Sequence, residues 1–185
     1  MPQRVCPWWL GYFLASPLRR FVQDPAKLLA PYVRKGMIVL EPGPGMGFFT
    51  LEIARLVGPS GRVVAVDIQP RMLSRLKRRA AQAGLWERVE ARSAAPDILG
   101  IADLAGSVDF TLAFYLVHEL PAVEAFFAEV AKASKPGAGL LFAEPAGHVK
   151  TVDFELNVQV AIRAGFELVE RPAIRRSYAA FLKRT

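Results

Sequence analysis

One turn constrains this chain more than any other part of its sequence. The stretch VLEPGPGMGFFTLEIARLVG, residues 39–58, places Gly43, Gly45 and Gly47 at alternate positions between an apolar run and a helical pattern. Glycine adopts positive φ angles without strain and has no Cβ to keep a ligand away from the backbone. The turn therefore predicts a site where a ligand lies against the main chain, at the end of a buried strand.

Apolar runs alternate with helical patterns along the rest of the chain. The predicted strands are short apolar runs bounded by turn residues, at 37–42, 62–68, 88–93, 108–115 and 139–145. The predicted helices lie at about 47–57 and at 70–84, 121–134 and 152–165, and KPGAG (135–139) is predicted as a turn. Two further runs, FELVERPAI and SYAAFLK, predict a closing antiparallel hairpin. This order predicts an α/β fold: a doubly wound, seven-stranded, mostly parallel sheet with a C-terminal antiparallel hairpin and helices on both faces.

Length and composition predict a single domain over residues 1–185, in which residues 1–30 form an N-terminal extension. The chain has 185 residues, of which 52% are hydrophobic and 22% charged, enough for a full core. Cys6 is the one cysteine, so no disulfide forms within the chain, which is typical of a cytoplasmic protein. The apolar stretch VCPWWLGYFLASPL is too short to cross a bilayer, and Pro7 and the bulky Trp8 and Trp9 disfavour a signal peptide. We expect a cytoplasmic protein that is not inserted in a membrane.

The residues around the turn indicate which ligand it suits. A dinucleotide-binding turn has the spacing Gly-x-Gly-x-x-Gly, but Phe48 occupies the position of the third glycine. Glu41 precedes the first glycine by two residues, and its negative charge would repel a phosphate group. The turn therefore favours a cationic or amine-bearing ligand over a pyrophosphate.

These segments resemble the signatures of a known family. VLEPGPGMGFFT resembles the acidic-x-Gly-x-Gly-x-Gly signature of class I S-adenosylmethionine-dependent methyltransferases, and VVAVDIQPRML resembles their second signature, an acidic residue that ends the second strand. The resemblance covers roughly residues 31–185, including the final strand pair. It implies S-adenosylmethionine as the cofactor and methyl transfer as the activity.

The resemblance also implies roles for individual residues. Gly43, Gly45 and Gly47 would let the backbone approach the methionine part of the cofactor. Glu41 would face the cofactor's ammonium group, directly or through water, and Asp67 would accept hydrogen bonds from both ribose hydroxyls. These five positions form the expected cofactor site at the ends of the first two strands.

Further residues are implied on the adenine side. Ile68 would pack on the adenine, with Met72 and Ala94 nearby, and Phe114 would form a wall past the fourth strand. The family usually places an acidic residue near the adenine amine, where this chain has Ala94 and Ala95. Asp97 or backbone groups would have to replace it.

Two histidines follow the predicted fourth and fifth strands. His118 and His148 both lie beyond strand carboxyl ends, where ligands bind in such sheets. Either imidazole could remove a proton from the methyl acceptor, because histidine is the side chain that ordinarily exchanges a proton near neutral pH; the alternative is that each simply packs or caps. We expect no metal site, since the spacing of His118, Glu119, Glu144 and His148 matches no ligand motif.

The N-terminal extension is rich in aromatic residues: Trp8, Trp9, Tyr12, Phe13 and Phe21. In the family that this chain resembles, the corresponding region often folds over the cofactor and helps to build the acceptor pocket. The extension is therefore a candidate lid that would exclude water and bind an apolar or planar acceptor. The alternative is that its rings only pack it onto the sheet.

Three functions are compatible with the sequence. The first is methyl transfer to a small molecule, because we expect no appended domain that would recognise a macromolecule. The second is RNA methylation, favoured by the net charge of +7 and by a basic helical face of Arg71, Arg75, Arg78 and Arg79, but FYLVHEL stands where such enzymes carry an Asn/Asp-Pro-Pro-aromatic segment. The third is S-adenosylmethionine binding without catalysis. The oligomeric state stays open.

Overall fold

The structure, a computed structural model, describes residues 24–185. Its strands are β1 (Ile38–Pro42), β2 (Arg62–Asp67), β3 (Val89–Ser93), β4 (Val108–Phe114), β5 (Ser134–Pro145), β6 (Phe166–Glu170) and β7 (Ser177–Arg184). Its α-helices are α1 (Pro25–Leu29), α2 (Thr50–Val57), α3 (Pro70–Gln82), α4 (Val123–Ala133) and α5 (Thr151–Arg163). The strands form one seven-stranded sheet in the order β3-β2-β1-β4-β5-β7-β6. The predicted fold class, a mostly parallel α/β sheet with antiparallel C-terminal strands and surrounding helices, is confirmed.

The chain divides after Ala94 into two compact units. In the first unit, β1, β2 and β3 are parallel neighbours. Strand β2 is apolar and buried from Val63 to Val66, as expected for a parallel strand covered on both faces. Helix α3 begins at Pro70, whose fixed φ suits a first helical position, and buries Met72, Leu76 and Ala80 at helical spacing. These elements place the carboxyl ends of β1 and β2 side by side.

The second unit pairs β4 with β5 in parallel and places β7 antiparallel to both β5 and β6. Its core contains a row of aromatic rings. Phe127 meets Phe142 edge to face with centroids 5.7 Å apart, and Phe142 stacks on Phe154 at 4.9 Å. All three side chains are at most 1% exposed. This packing fixes α4, α5 and β5 around the strand ends that carry the histidines.

Two sequence predictions about secondary structure were wrong. KPGAG is not a turn, because β5 already begins at Ser134, which pairs with Val108, while the next pair is Phe110 with Gly139. The intervening residues form an irregular part of the strand in which residues 135–137 are exposed, Ala138 is buried and Gly137 has a φ of +77°, so the Pro and Gly signals marked a bulge. The second helix begins at Thr50 rather than about residue 47, because the glycine turn continues to Phe49.

The proposed lid residues Trp8, Trp9, Tyr12, Phe13 and Phe21 lie outside the described residues. Cys6 lies outside them as well. Between residues 24 and 185, no helix combines the length and the apolar character that crossing a membrane requires.

Candidate functional site

The glycine turn follows β1 with three left-handed residues in alternation. Gly43, Gly45 and Gly47 have φ angles of +68°, +54° and +84°, a region that other L-residues occupy at a cost. A Cβ added at Gly45 would meet open space, whereas one at Gly47 would lie 2.5 Å from Leu76 Cδ1. The two glycines therefore have different roles. Gly45 leaves room beside the backbone, and Gly47 lets the turn pack against α3.

Hydrogen bonds to β2 and to α3 hold this turn in place. The Gly43 amide donates to the Val66 carbonyl of β2 at 2.8 Å. The Arg79 guanidinium donates to the Met46 carbonyl, which connects α3 to the turn. Arg79 belongs to the basic face that was one argument for RNA binding, so one of the four arginines has a structural contact within the fold.

Glu41 is a buried carboxyl group with one oxygen atom left unsatisfied by the described residues. It lies in β1 and is 3% exposed, and its Oε2 atom has no hydrogen-bond partner among residues 24–185. Burial, with a smaller contribution from the negative charge of Asp67, raises the pKa of Glu41 from 4.5 to about 7. The nearby Thr50 hydroxyl opposes this shift, although its Oγ1 also completes no hydrogen bond within the described chain. Because buried polar atoms normally have partners, this carboxylate suits a ligand that supplies a hydrogen-bond donor or a positive charge.

Asp67 ends β2 with its carboxylate oriented by the backbone. Its Oδ1 accepts a hydrogen bond from the Gln69 amide at 2.8 Å, and its carbonyl accepts one from the Ala94 amide at 3.1 Å. The side chain is 8% exposed. A carboxylate held in this way at a strand end can receive the two hydroxyls of a ribose.

The residues predicted to lie near the adenine differ in how exposed they are. Ile68 follows it with 37% of its surface exposed, whereas Met72 is only 4% exposed in the first turn of α3. Asp97 is exposed. A cleft of about 290 Å³ lies along α3, and the described residues that line it are Met46, Arg71, Met72, Ser74 and Arg75. Among the described residues, its lining includes neither Glu41 nor Asp67.

In the second unit, Glu144 and His118 form a buried acid–imidazole pair. Glu144 lies in β5 and is 0% exposed. Its Oε1 accepts a hydrogen bond from the Val117 amide at 2.7 Å, and its Oε2 is hydrogen-bonded to His118 Nδ1. Burial would lower the pKa of His118, but the hydrogen bond and charge of Glu144, together with Glu119, raise it above 6.5.

His148 lies beside this pair. Its ring meets the ring of His118 edge to face, with centroids 5.1 Å apart, and its side chain is exposed, whereas His118 is mostly buried. The two histidines predicted from the sequence thus lie together. Across residues 24–185, no set of three or more His, Cys, Asp or Glu side chains has the arrangement to hold a metal ion.

The residues after β4 adopt an uncommon conformation. Tyr115 has a φ of +60°, which is rare for a bulky residue and marks strain that the surrounding structure maintains. Its amide donates to the Ala143 carbonyl at 2.8 Å, and its hydroxyl lies 2.6 Å from Ser177 Oγ. The Tyr115 ring also packs against Phe114 with centroids 4.4 Å apart. The sequence analysis named Phe114 only as a wall residue, and no local signal predicted the contact between Tyr115 and Ser177.

The comparisons with known proteins agree with this geometry. Residues 33–172 match the methyltransferase-domain family. The chain is 30% identical over 125 residues to an arsenite methyltransferase of Halobacterium salinarum, covering 68% of this chain and 30% of that protein. It is also 30% identical over 112 residues to the ubiquinone/menaquinone biosynthesis C-methyltransferase UbiE of Hahella chejuensis, covering 60% of this chain and 44% of that protein. The chain thus spans less than half the length of the curated relatives that it matches.

Solved structures resemble the fold over most of the chain. A SAM-dependent methyltransferase from Aquifex aeolicus aligns with a TM-score of 0.86 at 22% identity, covering 98% of this chain and all of that one. The [4+2]-cyclase SpnF aligns with a TM-score of 0.74 at 15% identity, covering 86% and 79%. At these identities the likeness concerns the fold alone. Together with the match over residues 33–172, the chain belongs to the class I S-adenosylmethionine-dependent methyltransferase family.

Proposed function

We propose that this chain transfers a methyl group from S-adenosylmethionine to a small-molecule acceptor. The observation that carries the proposal is Glu41, a buried carboxylate with an unpartnered Oε2 at the strand end where Gly45 leaves open space beside the backbone. An ammonium group placed there would supply the missing donor and compensate the buried charge. The methionine part of the cofactor carries such a group.

The other predicted residues would divide the remaining contacts. Asp67 would hold the ribose, and the adenine would lie against Ile68 and Met72, with Ala94 at the end of β3 and Phe114 at the end of β4. The cofactor, when bound, supplies a methyl group already activated by its sulfonium. The protein therefore has to bind, orient and exclude water more than to activate.

A small acceptor is favoured over RNA. The names of the curated relatives refer to arsenite and to carbon methylation in quinone biosynthesis, so they point to small molecules but to different acceptors. The case for RNA rests on the net charge of +7 and on the basic helix face, and Arg79 of that face donates a hydrogen bond to the Met46 carbonyl within the fold. Binding of S-adenosylmethionine without catalysis is the third candidate, and turnover of an acceptor is the observation that separates it from methyl transfer.

Three further proposals accompany the function. His118 and His148 are proposed as the residues that handle protons at the acceptor. Residues 1–185 are proposed to act as one domain, since the family match runs from residue 33 to 172 and so extends over both compact units. A cytoplasmic location is proposed on the single cysteine, which permits no disulfide within the chain.

The test has two stages. Calorimetry should detect stoichiometric binding of S-adenosylhomocysteine to the full chain and no comparable binding of NAD, which serves as the dinucleotide control. The protein is then incubated with methyl-labelled S-adenosylmethionine and, separately, with a small-metabolite extract or with total RNA. Label should appear in the small-molecule fraction. Label in RNA would support the second candidate, and binding with no labelled product in either fraction would support the third.

A further inference from the structure

Glu144 is a fully buried carboxyl group in the second unit. Its side chain is 0% exposed in β5, and buried carboxylates persist only where hydrogen bonds or opposite charges compensate them. Both of its oxygens are engaged. One accepts from the Val117 amide at 2.7 Å, and the other is bonded to His118 Nδ1.

This arrangement determines where the proton of a neutral His118 lies. A carboxylate only accepts hydrogen bonds, so Nδ1 must carry the hydrogen that faces Oε2. The Nε2 atom is then the unprotonated nitrogen of the ring. Its separation from Glu119 Oε1 is 3.9 Å, too long for a hydrogen bond, so Glu119 does not hold Nε2 as a donor.

Within residues 24–185, the titratable groups that face His118 come from three segments. Glu144 faces it from β5, Glu119 lies on its own 3-10 turn (Val117–Glu119), and His148 lies against it from the segment after β5. The side chain of His118 is 17% exposed. An imidazole held by one buried acid and partly open to solvent has the arrangement of a general base whose tautomer is set by a carboxylate.

We propose that Glu144 is a positioning residue that holds His118 with Nε2 as proton acceptor, and that the methyl acceptor carries a proton on its reacting atom. The inference rests on the proposed function. In the transfer, the acceptor's X–H bond gives its proton to Nε2, and the freed electron pair forms the new X–CH3 bond. The S–CH3 bond of the donor breaks with its electrons left on sulfur. The resulting imidazolium lies against Glu144, which compensates its charge until the proton passes to solvent.

The assignment narrows the substrate class. A hydroxyl, a thiol, a protonated amine or an activated C–H group would each need the base. A tertiary amine or a thioether would not, because methylation of those atoms releases no proton. The product should therefore carry no new fixed positive charge.

The tautomer can be measured without any acceptor. The chain has two histidines, so an untagged, 15N-labelled His148→Asn variant leaves the single imidazole of His118 for NMR. Above its pKa, His118 should show a protonated Nδ1 and a bare Nε2. A protonated Nε2 in the neutral ring would overturn the proposal.

Glu144→Gln on the same background tests the positioning role. The glutamine oxygen can still accept from the Val117 amide, but its amide group would then face Nδ1 as a donor. The proton would move to Nε2, and the midpoint of the His118 titration should fall because the hydrogen bond and charge of the carboxylate that raise its pKa are lost. An unchanged tautomer and midpoint would refute the role. If this variant does not fold, the proposal is judged by the His118 tautomer in the His148→Asn variant, which keeps Glu144.

Glu124→Gln is the matched control, since Glu124 is an exposed residue in the first turn of α4. It removes the same charge from the same unit and should leave both the tautomer and the midpoint of His118 unchanged. A shift as large as that of Glu144→Gln would show that general charge, and not the buried contact, controls His118.

The acceptor class is tested on the labelled product of the metabolite experiment. Mass spectrometry should find a methylated product that has lost a proton, and a sulfonium or quaternary ammonium product would overturn the inference about the acceptor. Failure of S-adenosylhomocysteine to bind would instead refute the proposed function. The NMR result on His118 does not depend on either measurement, so the two failures are distinguishable.

Discussion

The affinity for S-adenosylhomocysteine should depend on the ionisation of Glu41. The pKa of this buried carboxyl is about 7, so at pH 7 about half of the molecules carry the charge that an ammonium group requires. Apparent affinity falls in proportion to the competent fraction. Between pH 7.5 and pH 6, the Kd should therefore rise about eightfold, and binding at pH 7 should release about half a proton.

The ionisation of Glu41 has opposite effects on cofactor binding and on the folding stability of the free protein. A pKa raised from 4.5 to about 7 means that folding disfavours the ionised carboxyl. The associated stability of the free chain is fully present below about pH 4.5 and is lost as the pH rises through about 7. Cofactor binding, in contrast, should strengthen over the upper part of that interval. The ligand's own amine loses its proton at roughly pH 8 or above, so the titrations stay at or below pH 7.5.

Glu41→Gln isolates the charge while keeping the shape. At pH 7.5 the loss of a charge-assisted hydrogen bond of about 1.5–3 kcal/mol should raise the Kd about 10- to 100-fold. The remaining affinity should no longer change between pH 6 and 7.5. Calorimetry in buffers of different ionisation enthalpy measures both the Kd and the protons released, and exposed Glu87→Gln is the control. An unchanged Kd, or an unchanged pH profile, in Glu41→Gln would refute this role of Glu41.

Three further predictions concern the ribose contact, the turn and the core. Asp67→Asn keeps the Oδ1 acceptor used by the Gln69 amide but should raise the S-adenosylhomocysteine Kd about tenfold or more; calorimetry that finds less than a twofold change would count against the ribose role. Gly47→Ala, whose Cβ would lie 2.5 Å from Leu76 Cδ1, should lower the free energy of unfolding by about 2–5 kcal/mol through overpacking and backbone strain. Gly45→Ala, with open space at its Cβ, should cost only the strain of about 1–2 kcal/mol yet bind the ligand far more weakly; urea unfolding that ranks the two glycine variants in the opposite order would show that the turn packs differently. Phe127→Ala should cost about 3–5 kcal/mol, and a loss below about 1 kcal/mol in the same assay would place Phe127 outside the core.

Local patterns predicted most of the fold. The apolar runs that became β1 and β2 are buried on both faces, and α3 begins at Pro70 with its apolar residues at helical spacing. Such signals depend on residues that are neighbours in the chain. The positions of Glu41 and Asp67 at the ends of β1 and β2 could be predicted for the same reason, whereas their roles toward a cofactor came from the family resemblance and stay predictions.

The predictions failed where the structure depends on contacts between residues that are far apart in the chain. The start of α2 shifted to Thr50 because the turn is held by contacts such as that from Arg79 to the Met46 carbonyl. KPGAG became part of β5 because Ser134 pairs with Val108. Val108 lies far from KPGAG in the sequence, so the local pattern around the glycines could not show this pairing. Glu144 could not be assigned a role from AEP alone, since its partners Val117 and His118 belong to another strand end.

The most direct test of the central claim is a crystal structure of the full chain with S-adenosylhomocysteine. We predict that the ligand's ammonium lies within hydrogen-bond distance of Glu41 and that its ribose hydroxyls bond Asp67. The methionine part should run past Gly45. A ligand found elsewhere, or saturating concentrations that leave these strand ends without it, would contradict the account.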